Sequence, residues 1–342
     1  MSFTVLVQPS GRQFTVEDGQ TILQAAIVAG VGLPYSCKDG ACSTCKCKRV
    51  SGIIELGPHQ TKALSQQDWD AGYTLTCVGY AKSDLVIENK HVSAEGTYPV
   101  QKMPCRVASL THAAPDVAIV TLQLPANIKL QYHAGQYVEF ILRDSARRSY
   151  SMANAPGSSE QLELHIRHMP GGKFTDHVFG AMKEKEILRM EGPFGSFWLR
   201  EDSDKPIVLL ASGTGFAPIK AMLEHAQARG NTRPMTLYWG GRCPHDLYMH
   251  DWCEARAAAL PWLRYVPVVS DALPEDAWAG RTGFVHRAVM SDLPDLSGYQ
   301  VYACGAPIVV DSARRDFTAQ CGLPEDEFYA DSFTSEADKH GG

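Results

Sequence analysis

Three closely spaced cysteines, Cys37, Cys42 and Cys45, and a fourth at Cys77 constrain this chain more than any other feature. Their C-x4-C-x2-C…C spacing is the one that wraps four thiolates round a plant-type [2Fe-2S] cluster. A loop that delivers three thiolates to one compact inorganic core must bend sharply and keep bulk away from the sulfides. Gly40, Ala41, Ser43 and Thr44 are small enough to allow it, and their backbone N–H groups can donate to sulfide, which helps set the potential. Cys37, Cys42, Cys45 and Cys77 are therefore the predicted metal ligands of a protein that moves electrons.

The rival uses of cysteine fit less well. Zinc ribbons carry two C-x2-C pairs, whereas here only Cys42 and Cys45 make one. Cys47 sits two residues beyond Cys45, but the spacing favours Cys45 and leaves Cys47 as a strand residue. Ten cysteines in 342 residues are too sparse for a stapled secreted scaffold. A second group, Cys243, His245, His250 and Cys253, has no spacing of a structural zinc module and links a strand to a helix.

At this length the chain predicts two or three domains rather than one core. With 44% hydrophobic and 20% charged residues it reads as soluble and globular. The start, Met1-Ser2-Phe3-Thr4-Val5-Leu6-Val7, alternates like a strand and lacks the cationic start and apolar core of a signal peptide. No apolar run reaches the ~18 residues of a membrane span. The expectation is a cytoplasmic protein with reduced thiols and no membrane partner. A net charge of −6, with no basic stretch interleaved with aromatics, argues against nucleic acid.

Along the chain, residues 1–90 read as two strands, Phe3–Val7 and Gln13–Val16, a helix capped by Thr21, the cysteine loop and short strands ending near Leu85–Ile87. Residues 91–103 mix polar, Gly and Pro residues without periodicity and read as a linker. Over 104–201, apolar segments such as Cys105–Leu110, Val117–Leu124, Tyr137–Leu142 and Leu162–Arg167 alternate with turns, predicting an antiparallel β-barrel. Over 202–342, the runs Ile207–Ala211, Met235–Trp239, Tyr265–Val269 and Val301–Cys304 alternate with helical stretches, Ala217–Gln227 and His250–Ala259 among them. That is the pattern of a parallel α/β sheet. Ser335–Gly342 reads as a frayed tail.

Three further motifs carry chemistry. Arg148-Ser149-Tyr150-Ser151 lies on a predicted barrel strand, with Arg148, Tyr150 and Met152 on one face and Ser149 and Ser151 on the other. A flavin needs a cation for its pyrophosphate, a flat ring against the isoalloxazine and donors near its nitrogens, and this run supplies all three; the same residues also make ordinary cross-strand pairs. Pro170-Gly171-Gly172-Lys173-Phe174-Thr175 feeds a predicted helix, Asp176–Met182, whose N-terminus suits a phosphate, with Thr175 as its cap. Ser212-Gly213-Thr214-Gly215-Phe216-Ala217-Pro218 follows a strand and opens a helix, the context of a dinucleotide phosphate site, although Pro218 replaces the third glycine of the usual fingerprint. Cys304-Gly305 ends a later strand at the edge where open α/β sheets bind ligands.

Taken together, these motifs in this order resemble the ferredoxin–NADP reductase superfamily, specifically the reductases with an N-terminal plant-type [2Fe-2S] domain that serve bacterial aromatic-ring oxygenases, Rieske-type or related. The chain is similar too to the CDP-6-deoxy-3,4-glucoseen reductases. The resemblance implies a β-grasp ferredoxin domain, a flavin barrel and a nucleotide-binding domain, holding [2Fe-2S], FAD and a nicotinamide dinucleotide. By it, Arg148 meets the flavin pyrophosphate, Tyr150 the isoalloxazine and Ser151 its N5, with Ser149, His165 and Arg167 in the same cofactor-binding set. Gly171, Gly172, Lys173, Phe174 and Thr175 match the second phosphate segment. Gly213, Thr214, Gly215 and Pro218 match the dinucleotide loop. Cys304 and Gly305 match a pair whose thiol lies near the nicotinamide, so that Ser151 and Cys304 are the implied catalytic pair. Phe333 falls where an aromatic meets the flavin, and Gly192-Pro193-Phe194-Gly195 matches a turn closing the barrel.

Ser270-Asp271 stands where NADPH-specific relatives carry a Ser-Arg pair, so a carboxylate would repel a 2′-phosphate and NADH is expected over NADPH; Arg242 is the counter-argument. The expected function is an NADH-dependent relay from FAD to the cluster to a protein acceptor, acting as a monomer. The first expected client is the oxygenase, or its ferredoxin, of an aromatic-hydroxylating system, and the second is a pyridoxamine-phosphate dehydrase of deoxysugar synthesis. The acceptor is expected to dock near the cysteine loop, beside Ser36, Lys38 and Asp39.

Overall fold

The computed structural model describes residues 1–92 and 98–334. The chain divides into two compact units: one holds Met1–Pro99, Gly195–Phe197 and the C-terminal segment from Asp331, the other Val100–Phe194 and Trp198–Ala330.

In the first unit, β1 (Ser2–Gln8) and β2 (Arg12–Glu17) form an antiparallel hairpin, and β1 also pairs in parallel with β7 (Leu85–Glu88). Between them run α1 (Ile22–Val28), β3 (Lys46–Ser51), β4 (Ile54–Leu56), α2 (Gln66–Asp70), β5 (Tyr73–Leu75) and β6 (Gly79–Ala81). The five-stranded order β2-β1-β7-β3-β5 is that of a β-grasp. Thr21 caps α1 as expected: its hydroxyl accepts from the Gln24 N–H while the Gln24 side chain accepts from the Thr21 N–H. Ile22, Leu23, Ala25 and Ala26 of that helix are buried.

The second unit begins with a six-stranded antiparallel sheet ordered β11-β10-β13-β8-β9-β12, comprising β8 (Gln101–Ala114), β9 (Val117–Gln123), β10 (Tyr137–Ile141), β11 (Arg147–Ser151), β12 (Gln161–Arg167) and β13 (Ile187–Phe194). A bridge between Met152 and Leu164 joins its two edges, so the sheet closes into the expected barrel around Val107, Val120, Leu122, Val138, Phe140 and Met152. Its helix, α3 (Lys173–Gly180), starts three residues before the expected one, with Gly172 as N-cap. Gly192, Pro193 and Phe194, expected in a closing turn, instead form the end of β13, pairing with β8 and β10. β8 also begins inside the predicted linker, because alternate residues Met103 and Cys105 already point into the barrel core. Residues 93–97 of that linker and the expected frayed tail from Ser335 lie outside the described residues.

The remaining strands are β14 (Ile207–Ser212), β15 (Met235–Gly241), β16 (Leu263–Val269), β17 (Arg281–Thr282), β18 (Gln300–Gly305) and β19 (Phe328–Ser332), in sheet order β17-β16-β15-β14-β18-β19. β14 pairs in parallel with both β15 and β18, so the winding reverses beside it and leaves a crevice at the carboxyl ends of β14 and β18. Helices α4 (Phe216–Ala228), α5 (His250–Ala259), α6 (Val285–Asp292) and α7 (Pro307–Gln320) complete this layer. Its core sets Val208, Leu210, Tyr238, Val268 and Val301 against Val289, Val310 and Phe317.

Candidate cofactor and electron-transfer sites

The cluster loop is the stretch between α1 and β3. Lys38 and Ser43, neither a glycine, take positive φ there, and Gly40 has φ +73°. A β-carbon on Gly40 would come within 2.9 Å of His59 Cβ, so the loop packs too closely for a side chain. That strain is retained where it turns three thiols inward. Cys45 and Cys77 Sγ lie 3.2 Å apart, and the N–H groups of Asp39 and Ala41 each reach Cys37 Sγ at 3.4 Å. Hydrogen bonds from Cys42 and then Cys77 hold the Cys37 thiol far below its ordinary value. The same contact with Cys37 pushes Cys42 up, and contacts with Cys37 and Cys45 push Cys77 up. Thiols set this close to one another, with backbone donors turned toward one of them, fit a four-thiolate cluster. Cys47 lies buried in β3 opposite Thr74, as expected, its thiol raised by burial.

Ser36, expected beside a docking acceptor, is instead buried: its hydroxyl donates to Asp331 Oδ1 at 2.5 Å. Next to it, the Tyr35 N–H donates to the Ser196 hydroxyl at 2.8 Å, and that hydroxyl donates to the Tyr35 carbonyl at 3.0 Å. Phe333 follows two residues after Asp331 in the same unit and is partly buried.

In the barrel, the Tyr150 ring lies 5.3 Å from Phe174 and 6.0 Å from Phe140, so the predicted isoalloxazine contact and part of the second phosphate segment are brought together. Arg148 Nη1 donates to the Arg147 carbonyl, and Ser149 Oγ to Glu139. Ser151 is buried at the end of β11, paired with Tyr137. The N-terminus of α3 carries no side-chain cap, which leaves its first N–H groups to a phosphate, as a flavin pyrophosphate would need. Thr175, expected as the cap, sits inside the first turn, where its hydroxyl donates to the Met169 carbonyl at 2.8 Å and accepts from the Met169 N–H at 3.2 Å. Gly172 leaves no room for a side chain between Thr175 Oγ1 and the Met169 carbonyl. Gly171 donates to Asp176, and Lys173 pairs with Asp144 at 2.5 Å. A cavity of about 720 Å³ opens here, with Phe140, Asp144, Lys173, Phe174 and Arg189 in its wall.

His165 and Arg167 face the nucleotide domain. The His165 ring is fully enclosed, its Nδ1 2.8 Å from the Tyr248 hydroxyl and its Nε2 2.9 Å from Glu163. Arg167 donates through Nη1 and Nη2 to Asp246 Oδ1, both at 3.1 Å, and pairs with Asp116 at 2.9 Å. The other Asp246 oxygen accepts the Arg242 N–H at 2.8 Å. Burial alone would raise the Asp246 carboxyl, but that N–H and the Arg167 guanidinium outweigh it and hold it below the usual range. Of the four soft ligands, Cys243 and His245 gather, joined by this already committed carboxylate; His250 bonds the Tyr265 hydroxyl and Cys253 is buried.

At the crevice beside β14, Gly213–Gly215 forms a single 3-10 turn leading into α4, with the buried Pro218 in that helix's first turn. A β-carbon on Gly215 would lie 2.2 Å from the Cys304 carbonyl oxygen, and one on Gly305 2.4 Å from that of Ser212. Trp239 Nε1 donates to the Gly213 carbonyl at 3.0 Å, and the Arg167 guanidinium lies within 3.3 Å of where a Gly213 side chain would begin. Arg167 Nε is buried there with no acceptor. Gly213, Thr214, Gly215, Cys304 and Gly305 thus form one bare backbone cradle, which fits a dinucleotide pyrophosphate. The Cys304 thiol is fully buried beneath it.

The family models agree with this division. The 2Fe-2S iron–sulfur cluster binding domain matches residues 5–82, the oxidoreductase FAD-binding domain 104–198 and the oxidoreductase NAD-binding domain 209–315. The CDP-6-deoxy-L-threo-D-glycero-4-hexulose-3-dehydrase reductase of Yersinia pseudotuberculosis is 41% identical over 97% of this chain and 99% of its own. The chain belongs to the iron–sulfur flavoprotein reductases. The terephthalate 1,2-dioxygenase reductase component 1 of a Comamonas species is 35% identical over 98% of both chains. Among solved structures, the Amycolatopsis cytochrome P450 reductase GcoB superposes with a TM-score of 0.80 at 33% identity, covering 97% of this chain and 99% of that one.

The reductase is therefore an NAD(P)H-dependent oxidoreductase built to hold a 2Fe-2S cluster, FAD and a nicotinamide dinucleotide. Among the described residues no helix is long and apolar enough to cross a membrane. Sequence reasoning missed Glu163, Lys220, Glu224, Asp246 and Tyr248, which join the flavin barrel of the reductase to its nucleotide domain. Their one sequence signal is the i,i+4 pair Lys220 and Glu224, which reads as a surface ion pair.

Proposed function

We propose that this reductase draws electrons from NADH and delivers them to a dehydrase acting on a CDP-linked deoxyhexulose. The observation that carries the client is the 41% identity to a reductase of that description over nearly the whole of both chains, against 35% for the dioxygenase component. The second client of the sequence reading is thus favoured over the first. The oxygenase reading keeps the support of the dioxygenase component and of the P450 reductase fold.

When bound, FAD takes two electrons from NADH as a hydride and releases them singly to the cluster. In this reading Arg148 and the open N-terminus of α3 hold the flavin pyrophosphate, Tyr150 packs on its ring, and Ser151 donates near N5. The cradle of Gly213–Gly215 and Gly305 holds the dinucleotide, and Cys37, Cys42, Cys45 and Cys77 hold the cluster. The domains run over 1–90, 104–201 and 202–342, the segment 91–103 lies between the first two and already enters β8 at Gln101, and the acceptor docks beside Lys38 and Asp39. NADH is favoured because the Asp271 N–H donates to the Arg242 carbonyl at 2.7 Å. That bond sets the exposed Asp271 beside Arg242, where a carboxylate accepts from a ribose hydroxyl and repels a phosphate.

The test is NADH oxidation by the purified holoenzyme in the presence of either acceptor: a pyridoxamine-phosphate dehydrase with its CDP-4-keto-6-deoxyhexose, or an aromatic-ring oxygenase with its substrate. Turnover coupled to the dehydrase alone supports the assignment, and turnover coupled to the oxygenase alone replaces it.

A further inference from the structure

Helix α4 opens on the Gly213–Gly215 turn, and Lys220 and Glu224 project from it toward the chain that leaves β11. Lys220 Nζ donates to the Ala153 carbonyl at 3.1 Å and meets Glu163 Oε1 at 3.0 Å and Glu224 Oε1 at 2.7 Å. Glu224 Oε2 accepts the Ala155 N–H at 3.1 Å, and the Ala153 N–H donates to the Glu163 carbonyl at 2.7 Å. Two side chains of the nucleotide domain thus grip the backbone of 153–155 in the flavin barrel.

Lys220 is only 4% exposed. Burying an ammonium is unfavourable unless each of its N–H groups finds an acceptor, and here three acceptors are supplied from three elements. An apolar residue would fill the same space without that penalty, so packing alone does not account for a lysine. Ser151 stands two residues before Ala153, and Gly215 five before Lys220. The lysine is therefore a direct polar link between the chain leaving the strand end assigned to flavin N5 and the helix opened by the turn assigned to the dinucleotide.

We propose that Lys220 is a positioning residue for hydride transfer, fixing with Glu224 the distance between the Ser151 strand and the Gly215 turn. The inference rests on the assignment of those two segments to flavin and NADH. Misplacing reacting groups by an ångström slows a reaction far more than it weakens binding, with losses of up to about a hundredfold.

The test uses the FAD- and cluster-loaded enzyme as Lys220→Met, Lys220→Arg and Glu224→Gln. Stopped-flow gives the limiting rate of flavin reduction and the apparent Kd for NADH. FAD content, and the long-wavelength charge-transfer band of the reduced enzyme with NAD+, are read separately. For Lys220→Met the limiting rate should fall about tenfold or more, the band should weaken, and Kd and FAD content should stay near wild type. Lys220→Arg should recover part of the rate, and Glu224→Gln should show the same split in milder form. An unchanged limiting rate and band in Lys220→Met and Glu224→Gln would overturn the proposal, as would loss of FAD with an unchanged rate per bound flavin. A wild-type enzyme whose flavin takes no electrons from NADH would instead overturn the assignment beneath it.

Discussion

Gly215 and Cys304 approach each other more closely than any side chain permits: a β-carbon on the glycine would lie 2.2 Å from the cysteine's carbonyl oxygen and 2.7 Å from Gly305 Cα. The φ of Gly215, −59°, is one that every residue adopts. The glycine is required here by contact and not by backbone freedom, because β14 and β18 end side by side and their exits share one crevice.

Gly215→Ala must therefore push the turn away from β18. Overpacking of this kind costs about 1–3 kcal/mol, and the cradle for the dinucleotide opens. The expected result is a lower melting temperature and an apparent NADH Kd raised about tenfold, while dithionite still reduces the flavin and the cluster. Calorimetric titration with NAD+ checks the binding change without turnover.

Cys42→Ser removes one of the four converging thiols. Reduction of a one-electron protein acceptor should be abolished, while NADH-driven ferricyanide reduction at the flavin stays largely intact. Equal loss of both activities would contradict the order of the relay, and electron paramagnetic resonance of the reduced protein reports the cluster directly.

Asp271→Arg places a cation beside Arg242 where a 2′-phosphate would lie. A charge-assisted hydrogen bond of about 1.5–3 kcal/mol corresponds to a gain of tenfold or more in the NADPH/NADH ratio of kcat/KM. An unchanged ratio would mean that the ribose binds elsewhere.

His133 stacks on Trp198 with ring centroids 4.6 Å apart, and burial, with the Arg200 charge adding to it, lowers its imidazole to about 4. The folded state thus binds its proton less readily than the unfolded chain, so stability is complete above about pH 6.5 and declines as the pH falls toward 4. Allowing for partial exposure, the loss attributable to this residue is about 1–2 kcal/mol. His133→Gln should flatten the fall in melting temperature between pH 7 and pH 5; an identical slope in both proteins would assign that dependence to other groups.

The parts of the site legible in the sequence are those encoded in short contiguous runs. Cys37 to Cys45 lie within nine residues, and Gly213 to Pro218 within six, so spacing alone fixes what their backbones can do. Other details were misplaced where a local pattern had two solutions. Thr175 reads as a helix cap, yet Gly172 takes that position because the Pro170-Gly171-Gly172 turn already directs its chain into the helix. Gly192, Pro193 and Phe194 read as a turn, yet the pairing of Gly192 with Gln101 of β8 and of Phe194 with Tyr137 of β10 keeps the segment in a strand.

By itself the sequence determined the order of the three domains, and it carried the proposals for the four cluster ligands and the glycine turn of the dinucleotide site, since each of those runs depends largely on residues that are near neighbours in the chain. Only the tertiary structure decided that Ser36 is buried against Asp331, 295 residues away, that Arg167 grips Asp246, and that Lys220 is a buried cation and not a surface one. Those contacts arise where strands and helices distant in sequence are packed together. An i,i+4 lysine–glutamate pair has the same spacing on a solvent face as at a domain seam, and only the packing tells them apart.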